Sequence, residues 1–269
     1  MATRNWYLHP VIATAIGINV GVLALTVARS GTDLAPLWHL LGEDGIVEWM
    51  QFLCFAVMAV LLGFVAIERA RRGPRLSLEV VGIAGLSALV ALAALEEISW
   101  FQRVLSVESS EFFRAHNRQG ETNLHNLALG SASLHKTVLV KLIFIIGIMH
   151  NLVLPLLARS RPAVRRWVES FGLYLPPLSA AVAYLLLVLL SHLLIDHPRK
   201  GELGEMFGAV HYLSTVFVAY VAGIGYGRPA VIENQADGRR ISAMFAMFMA
   251  FLLFVSWLLG EAFTRLAAA

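Results

Sequence analysis

Residues 96–126, EEISWFQRVLSVESSEFFRAHNRQGETNLHN, are the stretch around which the rest of the sequence is organised. Two adjacent carboxylates, Glu96 and Glu97, open it at the end of a long apolar run. A carboxylate near a helix C-terminus meets the unfavourable end of the helix dipole, and two neighbouring carboxylates repel each other. We therefore expect other parts of the chain to supply groups that stabilise this pair.

A polar series closes the same stretch just before the next apolar run. Its members occupy every second position and are Asn117, Gln119, Glu121, Asn123 and His125. In an extended chain this period places all of them on one side, and Gly120 permits a bend. The spacing predicts a segment that lies over a polar cavity, with an ordinary solvated loop as the alternative.

Residues 105–115 predict a short interfacial helix that starts at Ser109 or Ser110.

The composition is that of a membrane protein. Of the 269 residues, 58% are hydrophobic and 14% are charged, and the mean hydropathy is +0.70. Soluble domains have roughly 25% charged residues. No basic stripe alternates with aromatic residues, so a nucleic-acid partner is not expected. A single cysteine, Cys54, excludes an internal disulfide.

Seven apolar runs approach or exceed the length of about 20 residues that a helix needs to cross a bilayer. They are residues 10–29, 46–68, 78–100, 137–158, 174–195, 206–226 and 241–263. The first run is longer than the roughly 7–15 apolar residues of a signal peptide, which predicts a retained helix. The runs lie close together, with no soluble domain between them. The sequence predicts an all-α polytopic membrane protein, a single domain over 1–269 with seven transmembrane helices.

Basic residues are concentrated in alternate connections between these runs. They occur in 69–75, in 159–166 and at 239–240, whereas the other connections are acidic or mixed. Short basic loops stay in the cytoplasm. This rule predicts a cytoplasmic amino terminus, an external carboxyl terminus and an external loop over 101–135. The expected location is the bacterial inner membrane, with the polar residues facing the periplasm or exterior.

The same topology predicts further polar side chains at the outer face. Glu48 and Gln51 are three apart in the second run and share a helix face. Ser99 and Arg103 follow Glu96 at helical spacing, which predicts one common face. Lys141 lies about one turn inside the fourth run, where it can extend to the surface or act as a counter-charge.

Histidines and carboxylates near the fifth and sixth runs complete this set. His192 and Asp196 are four apart, and His197 follows directly. Such a pair can supply two metal ligands or a carboxylate-oriented histidine. The candidate ligands for a divalent metal, with zinc as the candidate ion, are His125, His192, His197 and Glu205. A bound metal can activate water, with Glu96 or Glu97 as the general base.

The predicted function is therefore a membrane-embedded, metal-dependent hydrolase that acts on a membrane lipid or lipid-linked substrate at the outer face. The other residues predicted for its pocket are Glu48, Gln51, Ser99, Arg103, Asn117, Gln119, Glu121, Asn123, Lys141 and Asp196. A non-enzymatic proton or cation pathway, or a site for an amine ligand, is the first alternative. An accessory subunit that docks a protein partner is the second.

Familiar catalytic and nucleotide-binding motifs are missing from the sequence. It contains no Gly-rich phosphate loop, Cys-x-x-Cys, His-Glu-x-x-His or Gly-x-Ser-x-Gly. Nucleotide binding, thiol redox chemistry and conventional zinc peptidase activity therefore lose support.

Three segments resemble sequences that recur in uncharacterised bacterial polytopic membrane proteins, a resemblance that implies no activity. They are EDGIVEWMQFL (43–53), EEISWFQR (96–103) and NRQGETNLHN (117–126). Glu48, Ser131-x-x-x-His135 and Asp196 partly resemble the alkaline ceramidase and progestin-receptor-like superfamily. That resemblance implies seven helices and zinc-dependent hydrolysis of lipid amides. His192 and His197 depart by one residue from the superfamily's His-x-x-x-His pattern, which puts those zinc ligands in doubt.

The adjacent glutamates also resemble the paired Glu-Glu motif of intramembrane CAAX-type proteases. Arg103 lies further from Glu97 than that motif requires, and its histidine context is missing. Protease activity is therefore not predicted.

Overall fold

The computed structural model describes residues 9–31 and 35–267, and most of these residues are helical. The helices are α1 (Pro10–Arg29), α2 (Ala35–Leu41), α3 (Ile46–Arg72), α4 (Leu78–Glu97), α5 (Gln102–Leu105), α6 (Glu111–His116), α7 (Val140–Ile148), α8 (Leu154–Ser160), α9 (Pro162–Ser170), α10 (Leu178–Leu194), α11 (Gly201–Val216) and α12 (Gln235–Ala267). Wider π-helical turns at His135–Leu139, Met149–Val153 and Phe217–Val221 extend α7, join it to α8 and extend α11. Strands β1 (Ala128–Leu129) and β2 (Ala132–Ser133) form a small antiparallel hairpin.

Five helices of the described chain are long and apolar enough to cross a membrane. They cover Pro10–Arg29, Leu37–Arg72, Leu78–Glu97, Thr137–Ser160 and Gln235–Phe263. These helices correspond to five of the seven predicted runs, so a helical membrane protein is supported. The run 174–195 contains the shorter apolar helix α10, and the run 206–226 coincides largely with α11 and its π-helical extension.

Helix α11 is the centre of the bundle. From Leu203 to Val221 nearly all of its residues are buried, and it packs against α1, α3 and α10. Gly204 and Gly208 lack side chains where Val188 and Tyr184 of α10 approach. Small residues at a helix interface let neighbouring helices approach closely, which favours the central position of α11.

Helices α3 and α4 form an antiparallel hairpin, which defines the two ends of the bundle. The Ser87 hydroxyl of α4 donates a hydrogen bond of 2.7 Å to the Ala59 carbonyl of α3. The start of α3 and the end of α4 therefore lie at one end, here called the acidic end. Arg69 of α3 and Glu79 of α4 form an ion pair of 3.3 Å at the opposite, basic end.

The outer surfaces of α4 and α7 are apolar and exposed. In α4 only Ile83 and Ala94 are buried, and α7 has no buried residue. Leu89, Ile143 and Phe144 are each more than half exposed. A continuous apolar surface of this kind is typical of contact with a membrane.

The chain turns sharply after α4, and this corrects the helical face predicted for residues 96–103. Ser99, Trp100 and Phe101 all have positive φ angles, of 47°, 56° and 62°. Left-handed backbone ends the α-helix, so α5 leaves in a new direction. Glu96, Ser99 and Arg103 consequently do not share one helix face.

The loop that follows also differs from the predicted extended segment. Helix α6 starts after Ser110, as predicted, and ends at His116, one residue beyond the predicted range 105–115. Gly120, with φ of +70°, makes the predicted bend. The two ends of the loop 117–127 lie side by side, because Asn117 and Leu127 form an antiparallel bridge. Asn117 and Asn123 are buried while Gln119 is exposed, so the polar series does not point to a single side.

Candidate functional site

Arg103 is the cation at the centre of the acidic end. Its guanidinium lies 2.6 Å from Glu48, 3.0 Å from Asp44 and 2.8 Å from Glu121. Burial alone favours the neutral guanidine, but the carboxylates of Glu48, Asp44 and Glu121 outweigh it and raise the pKa of Arg103. The side chain is therefore a permanent positive charge that ties α5 to the start of α3 and to the loop.

Two buried asparagines hold Glu121 against Arg103. The Asn117 side-chain amide donates hydrogen bonds of 2.9 Å to the Asn123 carbonyl and side-chain oxygens. Its own oxygen accepts from the backbone N–H groups of Gln119 and Glu121, at 2.9 and 3.3 Å. Asn123 in turn donates to the Ser99 hydroxyl at 2.9 Å, and that hydroxyl donates to Glu121. Asparagine side chains often replace backbone partners in tight turns, and here they fix one charged group.

Glu96 fastens the end of the loop to the end of α4. Its carboxylate accepts from the backbone N–H groups of Leu124 and His125, at 2.7 and 3.1 Å, and from the Trp100 indole at 2.8 Å. The His125 ring nitrogen Nδ1 lies 3.3 Å away. Both carboxylate oxygens are used in these contacts, which makes Glu96 an anchor for the loop.

Glu97 lies among other carboxylates. The groups that act on it most strongly include Glu205, Glu48 and Glu202, and these four residues are here called the acidic group. Gln51, only 1% exposed, donates a long hydrogen bond of 3.4 Å to Glu205. The other side-chain atom of Gln51, Oε1, is buried without a hydrogen-bond partner. Gln51 Oε1 is therefore a buried acceptor beside the acidic group that has no donor opposite it.

The cations that contact this region do not balance its carboxylates. Arg103 is shared between Glu48 and two carboxylates outside the acidic group. Arg199 lies 3.2 Å from Glu202 but also 3.5 Å from Glu43. His135 lies 3.4 Å from Glu205. Neighbouring carboxylates repel one another when they are ionised, so the arrangement can take up protons or bind a cation.

The four candidate metal ligands have different partners in the structure. His125 contacts Glu96, and Glu205 contacts Gln51 and His135. His192 is exposed and lies 2.9 Å from the Val188 carbonyl of its own helix. His197 is buried edge-on against Trp38, with ring centroids 4.8 Å apart.

No group of three or more histidine, cysteine or acidic side chains with metal-site geometry occurs among residues 9–31 and 35–267. The divalent metal and the predicted ligand set stay predictions.

The other predicted pocket residues take different positions. Asp196 and Lys141 are both exposed. Gln119 is also exposed and donates to Glu43 at 2.7 Å.

Several residues that form contacts in the site were not among the predicted site residues. Asp44 completes the Arg103 cluster, Glu202 joins the acidic group, and His135 pairs with Glu205. Gln102 accepts from the Thr122 N–H at 2.6 Å and donates to Ser109 at 2.6 Å. Asp44 has a sequence signal, since it lies four residues before Glu48. The role of Gln102 depends on the left-handed turn before it and has no such signal.

Comparisons with known proteins give no family for this chain. It matches no protein-family model, and comparisons with curated proteins and with solved structures found no match. The functional argument therefore comes from the chemistry of the acidic end.

Proposed function

We propose that the chain is a bacterial inner-membrane protein with seven transmembrane helices, whose acidic end faces the periplasm or exterior. The 17 residues of α10 extend about 25 Å at about 1.5 Å per residue, which is within the range of transmembrane helices. Helix α11 with its π-helical extension is long enough as well. Arg69, Arg72 and Arg228 lie at the basic end, and the positive-inside rule supports a cytoplasmic position for that end.

We infer that the acidic group is a cation site without enzymatic activity, which takes up a proton or another cation from outside the membrane. The observation that carries this inference is the buried Gln51 side chain in contact with Glu205, beside which Glu48, Glu202 and Glu205 act electrostatically on Glu97. Acidic residues inside membrane helices are costly and are typical of ion and proton pathways.

The buried oxygen of Gln51 supports the same inference. An acceptor that is buried without a donor costs about 1–3 kcal/mol. This oxygen belongs to the side chain that contacts Glu205. A protonated carboxyl group or a bound cation would remove that cost and the repulsion within the acidic group at once.

Cation flux into proteoliposomes tests the cation site. We expect Glu97→Gln and Glu205→Gln each to lower the flux at least tenfold, because each removes one carboxylate from the acidic group. The matched control is Glu108→Gln, since the Glu108 side chain is 89% exposed; it should behave like the wild type. Wild-type flux no higher than that of empty liposomes, for protons and for mono- and divalent cations, would contradict the proposal.

A metal-dependent hydrolase of lipids or lipid-linked substrates is the second candidate. The observation in its favour is a pair of histidine–carboxylate contacts, His125 with Glu96 and His135 with Glu205, whose imidazole rings are 6.0 Å apart. Carboxylates commonly orient metal-binding histidines. Stoichiometric metal in the purified protein, lost in His125→Ala and His135→Ala, would select this candidate.

A further inference from the structure

Buried polar side chains continue from the acidic group into the bundle. The Tyr184 hydroxyl lies 3.1 Å from where a Cβ on Gly208 would be, about one turn beyond Glu205 on α11. Both Glu205 and Tyr212 act electrostatically on Tyr184. Tyr184 therefore bridges the space between the acidic group and the middle of α11.

The middle of the bundle contains a hydrogen-bonded polar cluster. The buried Asn151 side chain donates to the Tyr212 hydroxyl at 2.6 Å, and its oxygen lies 2.9 Å from His211 Nε2. His150 lies between two tyrosines, with ring centroids 5.7 Å from Tyr212 and 5.2 Å from Tyr174. These groups come from α11, from the turn between α7 and α8 and from the segment before α10, so they converge from different parts of the chain.

A second set of groups continues toward the basic end. The Tyr174 hydroxyl lies 2.7 Å from the Thr215 hydroxyl, which donates to the His211 carbonyl at 2.9 Å. The Tyr220 ring lies 5.5 Å from Tyr174 and 5.0 Å from Tyr226.

This second set ends at a carboxylate at the opposite end of the bundle from the acidic group. The Tyr226 hydroxyl donates to Glu79 at 3.2 Å, and Glu79 forms the ion pair with Arg69. The polar side chains therefore extend from the acidic group to the basic end.

Two buried acceptors beside these groups have no donor. Asn19 Oδ1 and His150 Nδ1 are buried without hydrogen-bond partners. A cavity of about 10 Å³ lies next to Asn19 and is lined also by Tyr184, His211 and Ser214. This volume is close to the minimum for one water molecule, and its lining offers several polar partners.

Two explanations exist for polar residues inside a membrane bundle. Interhelical hydrogen bonds can hold helices together, which would account for Asn151, His211 and Tyr212. Interhelical hydrogen bonding does not account for the unpaired acceptors of Asn19 and His150. It also does not account for polar groups that continue to both charged ends of the bundle. A route along which protons move accounts for both features, because an unpaired acceptor can receive a proton and the route has to reach both ends of the bundle.

We propose that this series of side chains is a proton path between the acidic group and Glu79, with Tyr212, His150, Tyr174, Tyr220 and Tyr226 as its relay groups. The proposal rests on the proposed cation site and identifies its cation as the proton. At each relay group one O–H or N–H bond breaks toward the next acceptor while a new one forms from the preceding donor. For this transfer the Tyr220 hydroxyl turns away from the Gly172 carbonyl, to which it donates, and the His150 Nε2–H turns away from the Tyr174 carbonyl. Each group is therefore left neutral, and one proton enters and one leaves.

Proton flux into proteoliposomes tests this path, with an internal pH-sensitive dye and a potassium diffusion potential as the driving force. Thr215→Val removes the hydroxyl that orients Tyr174, and Tyr212→Phe removes a relay hydroxyl while keeping the ring. We expect each to lower proton flux at least tenfold. The control is Thr26→Val, because Thr26 is equally buried and donates only within α1, to the Val22 carbonyl; it should keep wild-type flux.

The outcomes separate the path from the cation site. If Thr215→Val and Tyr212→Phe conduct protons as fast as Thr26→Val while Glu97→Gln does not, the path is wrong and the cation site stands. Flux of another cation without proton flux likewise overturns the path alone. If the wild type conducts no cation, both proposals fail. Should Thr215→Val not fold, Tyr212→Phe decides the matter alone.

Discussion

At the residue scale, Arg103 is the group on which the acidic end depends. It contacts three carboxylates, Asp44, Glu48 and Glu121, which are 59, 55 and 18 positions away in sequence. Without it, Asp44, Glu48 and Glu121 would face one another with no cation between them. One guanidinium can do this because its five N–H donors form a rigid planar fork.

Replacing Arg103 should therefore destabilise the fold. We expect Arg103→Gln to lower the free energy of unfolding by on the order of 3 kcal/mol, as is typical when one partner of a buried ion pair is removed. Arg114→Gln is the matched control, since Arg114 and its partner Glu108 are largely exposed and such pairs contribute about 0–1 kcal/mol. Thermal unfolding of the purified variants in detergent measures the difference. Equal midpoints for both variants would show that Arg103 has no such role.

Some residues of the candidate site could be predicted from the sequence because of the chemical type of their side chains. An acidic or histidine residue close to an apolar run is costly, and this singled out Glu48, Glu97 and His125. Their partners could not be predicted, because Arg103 reaches Glu48 only after the chain reverses direction at Ser99–Phe101. That reversal uses left-handed backbone at residues other than glycine, for which the sequence gives no signal.

At the scale of elements, the turns that end α4 and α5 determine the shape of the loop. Ser106 ends α5 with a φ angle of 52°. This position favours glycine, because a Cβ in left-handed backbone approaches the neighbouring carbonyl oxygen. The strain is small for one residue but is present in a segment that positions Arg103.

Glycine at position 106 should consequently stabilise the protein. We expect Ser106→Gly to raise the free energy of unfolding by up to about 1 kcal/mol. The matched control is Ser110→Gly, because Ser110 starts α6 in extended backbone with φ of −61°; it should be neutral or slightly destabilising. Chemical or thermal unfolding of both variants measures this. A loss of stability in Ser106→Gly alone would contradict the argument.

The helices themselves were more predictable than the loop. Apolar runs of 20 residues or more carry a strong signal because each must be buried in lipid or protein. The predicted starts at residues 10, 46 and 78 coincide with those of α1, α3 and α4. The short loop elements contain few apolar residues, so their conformation depends on hydrogen bonds such as those of Asn117 and Asn123, which a sequence pattern does not reveal.

At the scale of the whole molecule, acidic side chains predominate at one end of the bundle and basic side chains at the other. Glu97 and Glu205 lie at the acidic end, and Arg69 and Arg228 contact Glu79 at the other. Alternating loop charge in the sequence predicted this separation. The buried groups between the ends, such as Asn151 and His211, were not predicted to form a path, because their alignment depends on how α7, α10 and α11 pack.

The central claim is that the acidic group cannot remain fully ionised without a cation. Infrared difference spectroscopy at neutral pH, on purified protein freed of metal by a chelator, tests this claim most directly. We predict a protonated carboxyl band in the wild type and in Glu108→Gln that is lost in Glu97→Gln. Fully ionised carboxylates in the chelated wild-type protein would contradict the claim.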